Sequence, residues 1–373
     1  SSNAGRKQFT TLLIDRSNLL KISMRDEKMS SEGHYVGGVF QFLLQIKLLL
    51  QKGSFRYVYV FWDNEDGYYR WLLNPDYKMN RDKSFQDEEG LSDYMKEYNA
   101  NLKRMQRYLF NKGGKRKTYN EKSEKEIFIE QREVVMNCLE ELFIRQVMCD
   151  KVEADDLIAY YVNNKKPEER IVIVSTDQDL TQLISDDVII YNKRKKMFLN
   201  KENHLKELGC LNENIMLKKV ICGDTSDNIK GIKGVGEKTL IDNFPQFRER
   251  KVTLDEVIEG ARKINEERLK GKKKPLKWAE NIVNGVTDST VGSDKVYEVN
   301  QKIIDLRHPL MDEEATEMMK AMMYSPLDPE GRSMENLYQL MKVYGIDELT
   351  DEGKFSSFFN EFVTIIDREK KNT

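Results

Sequence analysis

The sequence has little of what builds zinc sites or covalent frameworks. Its four cysteines, Cys138, Cys149, Cys210 and Cys222, show no CxxC pairing, and its three histidines, His34, His204 and His308, are scattered. A disulfide scaffold and the common zinc modules are thereby excluded, and the thiols are expected to be reduced in a cytoplasm. No apolar run approaches the roughly 18 residues of a membrane-spanning helix. No secretory leader is visible, and residues 1–8 read as a tag-like, disordered start opened by the expression remnant Ser1-Ser2-Asn3-Ala4. A net charge of only -2 excludes a uniformly basic coat.

What remains is a globular composition, 39% hydrophobic and 33% charged over 373 residues, enough for about two to three domains. The near-neutral total hides local asymmetry. Residues 112–117 (KGGKRK), 193–196 (KRKK) and 270–277 (KGKKKPLK) are basic, whereas acids gather at the ends of apolar runs. Basic patches beside an acidic cluster suit a protein that acts on nucleic acid.

The strands carry those acids. Residues 9–14 (FTTLLI) read as a first strand leading to Asp15, and 55–62 (FRYVYVFW) as a second leading to Asp63. Residues 143–149 (FIRQVMC) read as a third. The run Ile171–Val174 is a short buried strand, followed by Ser175, Thr176, Asp177 and Asp179 and then by a helical pattern. Residues 188–191 read as another strand, which a basic turn joins to 197–199. Helices are expected over Gly37–Leu50, 130–142, from 152, over 215–221 and, opened by the stretch 231–239, through Leu240, Ile241 and Phe244. The fold class is therefore α/β with a mostly parallel sheet, whose carboxyl edge is where such sheets place ligands.

Residues 152–156 (VEADD) put Glu153, Asp155 and Asp156 into one helical first turn, more than a helix dipole explains. Asp224 and Asp227 follow in GDTSDN. Carboxylates at this density, with no lysine or arginine in the same motifs, call for divalent cations, and oxygen-only ligation favours Mg²⁺, with Mn²⁺ as substitute. Two ions about 3.5–4 Å apart would clamp the attacking and leaving oxygens of a phosphodiester. Residues 64–130, rich in both charge signs, read as helices and flexible loop projecting from the sheet, with interleaved Tyr, Arg and Lys suited to a single strand. The stretch 231–239 (GIKGVGEKT) has the glycine spacing of a P-loop, but Glu237 stands where the lysine belongs. It is a glycine turn able to hold a phosphate through backbone N–H groups, not an ATPase motif. The methionines of 313–323 have core spacing, and 338–344 and 355–366 read as further amphipathic helices.

ID at Asp15, VEADD, STDQDL and GDTSDNIxGIxGVGEKT together resemble the 5′-nuclease family of flap endonucleases and 5′–3′ exonucleases. GYYRWLLNPDYKMNR and KRKKMFLN are most similar to the ribonuclease H of T-even bacteriophages. The resemblance spans about residues 9–250. It implies a PIN-like domain over 9–200 with a helical arch within 64–130, a helix–three-turn–helix duplex-binding region over 201–250, and a helical C-terminal region over 251–373. It implies that Asp15, Asp63, Glu153, Asp155, Asp156, Asp177, Asp179, Asp224 and Asp227 serve two metal clusters. Arg70, Lys78 and Arg81 would contact the scissile phosphate and 5′ strand. Tyr77, Gly231, Gly234, Gly236, Lys238 and Thr239 would contact DNA, with K⁺ at the glycine turn. The implied activity is structure-dependent cleavage near a 5′ end or flap, including RNA primer removal from RNA–DNA hybrids, in phage replication. The implied partners are a single-strand-binding protein or polymerase clamp, with the chain a monomer. The alternative is a catalytically inactive nucleic-acid-binding module of the same fold, which predicts missing carboxylates. An aspartyl phosphatase would need Asp-x-Asp after the first strand, where Arg16 and Ser17 stand. A PIN-type ribonuclease would lack the glycine-turn element.

Overall fold

The computed structural model describes residues 9–15, 36–63, 67–79 and 124–371. Its centre is a six-stranded sheet in the order β3-β2-β1-β4-β5-β6, parallel throughout except for the β5–β6 hairpin. The strands are β1 (Thr11–Asp15), β2 (Tyr57–Asp63), β3 (Arg145–Cys149), β4 (Ile171–Val174), β5 (Val188–Asn192) and β6 (Met197–Leu199). All residues of β1 and β4 are buried, as expected of central parallel strands covered on both faces. Each expected strand is found, shifted by a residue or two at its ends. Phe55 falls outside β2 yet stays in the core at 2% exposure.

The helices are α1 (Gly37–Leu50), α2 (Tyr68–Leu73), α3 (Glu124–Glu141), α4 (Ala154–Asn163), α5 (His204–Leu208), α6 (Ile215–Cys222), α7 (Glu237–Asn243), α8 (Leu254–Lys270), α9 (Lys277–Asn284), α10 (Val296–Ile304), α11 (Glu313–Met322), α12 (Met334–Tyr344) and α13 (Glu352–Lys371). The helical pattern expected after Asp177 is a 3₁₀ helix, Gln178–Leu183, capped by the Asp177 side chain accepting from the Asp179 N–H. Asn212 fixes its far end by donating from Nδ2 to Ile184 O (2.9 Å) and Thr181 O (3.2 Å). A two-residue hairpin, β7 (Gly223–Asp224) and β8 (Ile229–Lys230), separates α6 from the glycine turn, so a short strand directly precedes that turn. Glu237 still occupies the position a P-loop lysine would need.

One sheet face is covered by α1, α3, α12 and α13, whose Phe358, Phe359 and Phe362 join Leu12, Val58 and Trp62 in one core. Each such side chain contributes about 1.5–3 kcal/mol on burial. The buried Arg145–Glu369 pair (2.9 Å) ties the last helix to β3. The other face is covered by α4 and α11, where Met319 is fully buried and Met318, Met322 and Met323 pack beside it. The methionine run is thus core. A third core joins α6 and α7 to α8 and α9 through Leu240, Phe247, Val257, Ala279 and Ile282. Most of the expected arch and Arg81 lie outside the described residues, as does the 112–117 basic run.

Candidate metal centre and nucleic-acid interface

Register brings the acids together. Asp15 pairs with Phe61, so Asp63 lies two residues beyond it on the neighbouring strand. On the other side Ile14 pairs with Val174, which places the Ser175–Asp179 turn beside Asp15. Ser175 Oγ donates to Asp15 Oδ2 (3.0 Å) and accepts from the Asp177 N–H (3.0 Å). Helix α4 begins at the same edge. Asp63 Oδ1 accepts from the Ala154 N–H (2.6 Å), satisfying one of the helix's open amides from a different element. That contact sets Glu153, Asp155 and Asp156 over the strand ends.

The acids then fall into three groups. In the first, Asp155 hydrogen-bonds Asp177 and faces Asp15. Burial, then Asp177 and Asp15, push the Asp155 carboxyl well above the usual carboxylate range. Like charges brought together in this way disfavour one another's ionised form, and a cation between them would offset that.

In the second, Asp179, Asp224 and Asp227 each offer an oxygen within 4.8 Å of the others. Lys219 Nζ, from the last turn of α6, bridges Asp179 (2.5 Å) and Asp224 (3.0 Å). Burial and Asp177 lift Asp179 to about 6 in spite of that ammonium. The two aspartates hold Lys219 well above its ordinary range, although burial works the other way.

The third group is closed. Arg70 donates from Nη1 to Glu153 (2.5 Å) and Asp156 (2.5 Å), from Nη2 to Asp156 (2.8 Å), and from Nε to Ile303 O (2.9 Å). Asp156 is fully buried and also accepts from the Leu310 N–H (3.1 Å). Glu153 accepts from Lys78 Nζ (2.5 Å) and Tyr77 OH (3.1 Å). Against the cost of burial, Lys78 and Arg70 hold Glu153 down at about 2. Gly67 makes this packing feasible: its φ is +78°, and a Cβ there would lie 2.4 Å from the Tyr77 ring.

Three expectations change with this geometry. The acids do not depend on metal ions alone, because Lys219, five residues before Asp224, and Arg70 and Lys78, distant in sequence from Glu153, neutralise two of the groups. Arg70 and Asp156, expected at the scissile phosphate and a metal, are instead spent on one another, at 5% and 0% exposure. Tyr77, expected to contact DNA, is 6% exposed with its hydroxyl on Glu153.

The segment carrying Lys78 rests on the second acidic group. The Lys78 N–H donates to Asp227 O (2.7 Å), and Asn228 Nδ2 donates to Asp76 O (2.7 Å). Sequence reasoning missed Asn228 and Lys219. The signal for Lys219 was the pair Lys218-Lys219 inside an otherwise apolar helix, and both are buried.

Downstream lies the glycine turn. Gly231 runs against the backbone of Ile221–Gly223, where a Cβ would sit 2.3 Å from Gly223 N and Ile221 O. Gly234, Gly236 and Lys238 are exposed and Thr239 is half-buried. The turn is therefore a rigid, open backbone surface apart from the acids.

Comparison with known proteins agrees with this architecture. A family model described as the 5′–3′ exonuclease, N-terminal resolvase-like domain matches residues 10–209. DNA polymerase I of Bacillus subtilis (strain 168) is 32% identical over 185 residues, 48% of this chain and 20% of the polymerase. A 5′–3′ exonuclease of Aquifex aeolicus (strain VF5) is 28% identical over 158 residues, 42% of this chain and 51% of that one. The chain thus spans about half or less of these relatives. Among solved structures, the T5 5′-exonuclease with bound zinc superposes with a TM-score of 0.53 at 17% identity, covering 95% of this chain and 99% of that one. The bacteriophage T5 flap endonuclease, in a pseudo-enzyme-product complex with DNA and metal ions, gives 0.55 at 16% identity, covering 96% and 99%. These superpositions establish the fold; the finer likeness to the ribonuclease H of T-even phages is carried by the sequence segments alone. With more than half its length matched by the family model and its strand-end acids converging at one sheet edge, the chain belongs to the 5′–3′ exonuclease family of N-terminal resolvase-like domains.

Proposed function

We propose that the chain is a structure-dependent 5′-nuclease that hydrolyses phosphodiester bonds near a 5′ end or flap junction, including those of RNA primers. The observation that carries this reading is the meeting of Asp15, Asp155 and Asp177 at one sheet edge, where register and Ser175 join the strand ends and the neighbouring acids raise the Asp155 carboxyl. A carboxylate cluster of this kind fits a hard divalent cation, and the all-oxygen donor set favours Mg²⁺. Asp179, Asp224 and Asp227 would hold a second, with Asp63 orienting α4. Bound there, divalent cations supply a nucleophile at neutral pH and offset charge on the leaving 3′ oxygen.

The chain's own residues do the rest. Lys78, with 17% of its side chain exposed, is placed to turn from Glu153 to a phosphate in the cleft and stabilise the charge that grows on it. Arg81 would act beside it. Arg70 and Asp156 fix Glu153 and the start of α4 rather than touch substrate. The glycine turn, with Lys238 and Thr239, would grip duplex backbone without reading sequence, and K⁺ is a fitting ligand for its carbonyls. In this reading residues 9–200 form the nuclease core, 201–250 the duplex grip and 251–373 a helical buttress. It acts as a monomer in a host cytoplasm during phage replication, with a single-strand-binding protein or polymerase clamp as partner. The rival inactive module is disfavoured because every motif keeps its acids.

The test uses 5′-labelled flap, nicked and RNA–DNA hybrid substrates, with Mg²⁺ or with EDTA. Mg²⁺-dependent short products from the 5′ side are expected. Tight duplex binding without cleavage under any divalent metal would replace this reading with the binding module.

A further inference from the structure

Helices α8 and α9 form a hairpin whose tip stands apart in charge. From residue 268 to 277 the chain carries Arg268, Lys270, Lys272, Lys273, Lys274 and Lys277 and no acid. Lys270, Lys272, Lys273 and Lys274 are exposed, and no carboxylate among the described residues pairs with them. The base of the same hairpin is different. There Arg250 pairs with Glu256 (2.7 Å), and Arg262 pairs with Glu259. The other described basic turn, 193–196, is also different: Lys195 reaches Glu207 (3.6 Å), and the Lys193 Nζ is buried.

The tip is ordered in spite of its charge. Arg268 Nε donates to Lys274 O (2.7 Å), and the Lys273 N–H donates to Arg268 O (2.8 Å). Asn265 clamps Leu276 in both directions, accepting from its N–H (2.8 Å) and donating to its carbonyl (3.1 Å). Gathering like charges on a fixed loop costs repulsion that solubility alone does not require.

The hairpin is also mounted on the glycine turn. Asn281 Nδ2 donates to Lys233 O (2.8 Å), the Lys233 N–H donates to Val286 O (2.8 Å), and Thr287 Oγ1 donates to Gly231 O (2.7 Å). Trp278 packs edge-on against Phe244 of the same core (6.3 Å between centroids). Turn and hairpin are therefore joined by direct hydrogen bonds and a shared core. Between them lies α9, about 12 Å long at the helical rise, which spans three to four phosphates of a strand at about 3.4 Å each.

We infer that the tip is a second phosphate-tracking surface, which binds the backbone of the duplex arm beyond the part the glycine turn holds. It rests on the duplex-gripping reading of that turn. Its chemistry is sequence-independent: lysines displacing counterions along a regular polyanion.

The test is fluorescence anisotropy of the full chain with Lys270, Lys272, Lys273 and Lys274 all changed to Gln. Labelled duplexes with a long arm and with an arm too short to reach past the glycine turn are titrated in EDTA at several salt concentrations. For the long arm, the slope of log K against log salt is expected to fall by about 2–4, at about 0.9 for each phosphate that is no longer neutralised. The short arm should bind variant and parent alike. Equal salt slopes on the long arm would overturn the inference, as would an equal loss on both arms or on single-stranded oligomers. Circular dichroism melts confirm that the variant is folded. Failure of the parent chain to bind either duplex would instead remove the underlying reading of the turn, which keeps the two failures distinguishable.

Discussion

Two acidic groups sit side by side at the sheet edge, and they solve the same electrostatic problem differently. Asp15, Asp155 and Asp177 come from two strand ends and a helix start, and burial together with the charges of Asp177 and Asp15 pushes the Asp155 carboxyl well above its usual range. Asp179, Asp224 and Asp227 have a cation of the chain's own, Lys219. A cation bound beside the first group would relieve the repulsion that raises Asp155. The second is already half satisfied, so an incoming cation must share it with an ammonium. The difference teaches that acids meeting at one sheet edge can be balanced by different means, and that the neighbouring helix α6 supplies an ammonium to one group.

The largest break in that comparison should come from chemistry. Asp155→Asn or Asp177→Asn is expected to lower single-turnover cleavage of a flap substrate by on the order of 10³-fold or more, the scale of losing a principal electrostatic contributor, while duplex binding by anisotropy is retained. Turnover within tenfold of the parent would count against the site.

Next comes stability without metal. Lys219→Met strands Asp179 and Asp224 in a buried setting, and removing one partner of such a pair costs about 3–5 kcal/mol. The EDTA melting temperature should drop sharply, and Mg²⁺ should restore part of the loss. Asp155→Asn should do the reverse: it removes a repelled carboxylate, raises the EDTA melting temperature by an amount worth about 1 kcal/mol, and abolishes most of the gain on adding Mg²⁺. Opposite signs for the two variants are the essential outcome; equal signs would erase the distinction between the groups.

The smallest effect is a pH slope. Asp155 holds its proton more tightly folded than unfolded, so its contribution to stability is present below the unfolded carboxylate value and is lost as pH rises toward its raised folded value. Asp179, raised to about 6, behaves alike. In EDTA, stability should therefore fall as pH climbs from about 4 through 6, by at most about 1.4 kcal/mol per unit for each proton. Asp155→Asn should flatten that slope in melts taken across the range. Glu153 runs the other way: held at about 2, it supports the fold above the unfolded carboxylate value and fails only as pH falls toward 2.

Much of the frame was legible in advance. The β-branched and aromatic runs at Thr11–Asp15, Tyr57–Asp63 and Ile171–Val174 announced buried parallel strands, because period and composition are local properties. The acids closing those runs announced the edge where they would meet. Arg70 was misjudged because its partners are more than 80 residues away, and no local pattern separates a cation that will be buried from one that will face a phosphate. The helix expected after Asp177 is present, but its 3₁₀ form was not legible, because Asn212, whose Nδ2 donates to Thr181 O and Ile184 O, lies some 30 residues downstream.

The sequence alone determined which chemistry is present: nine carboxylates on strand ends, a helix start and turns, and a glycine turn that rejects a nucleoside triphosphate. Tertiary structure alone decided how those charges are shared, which acid is raised by its neighbours, which meets Lys219 and which disappears under Arg70. The physical reason is that secondary structure follows from neighbours along the chain, whereas electrostatic energy depends on distances in space that only packing sets.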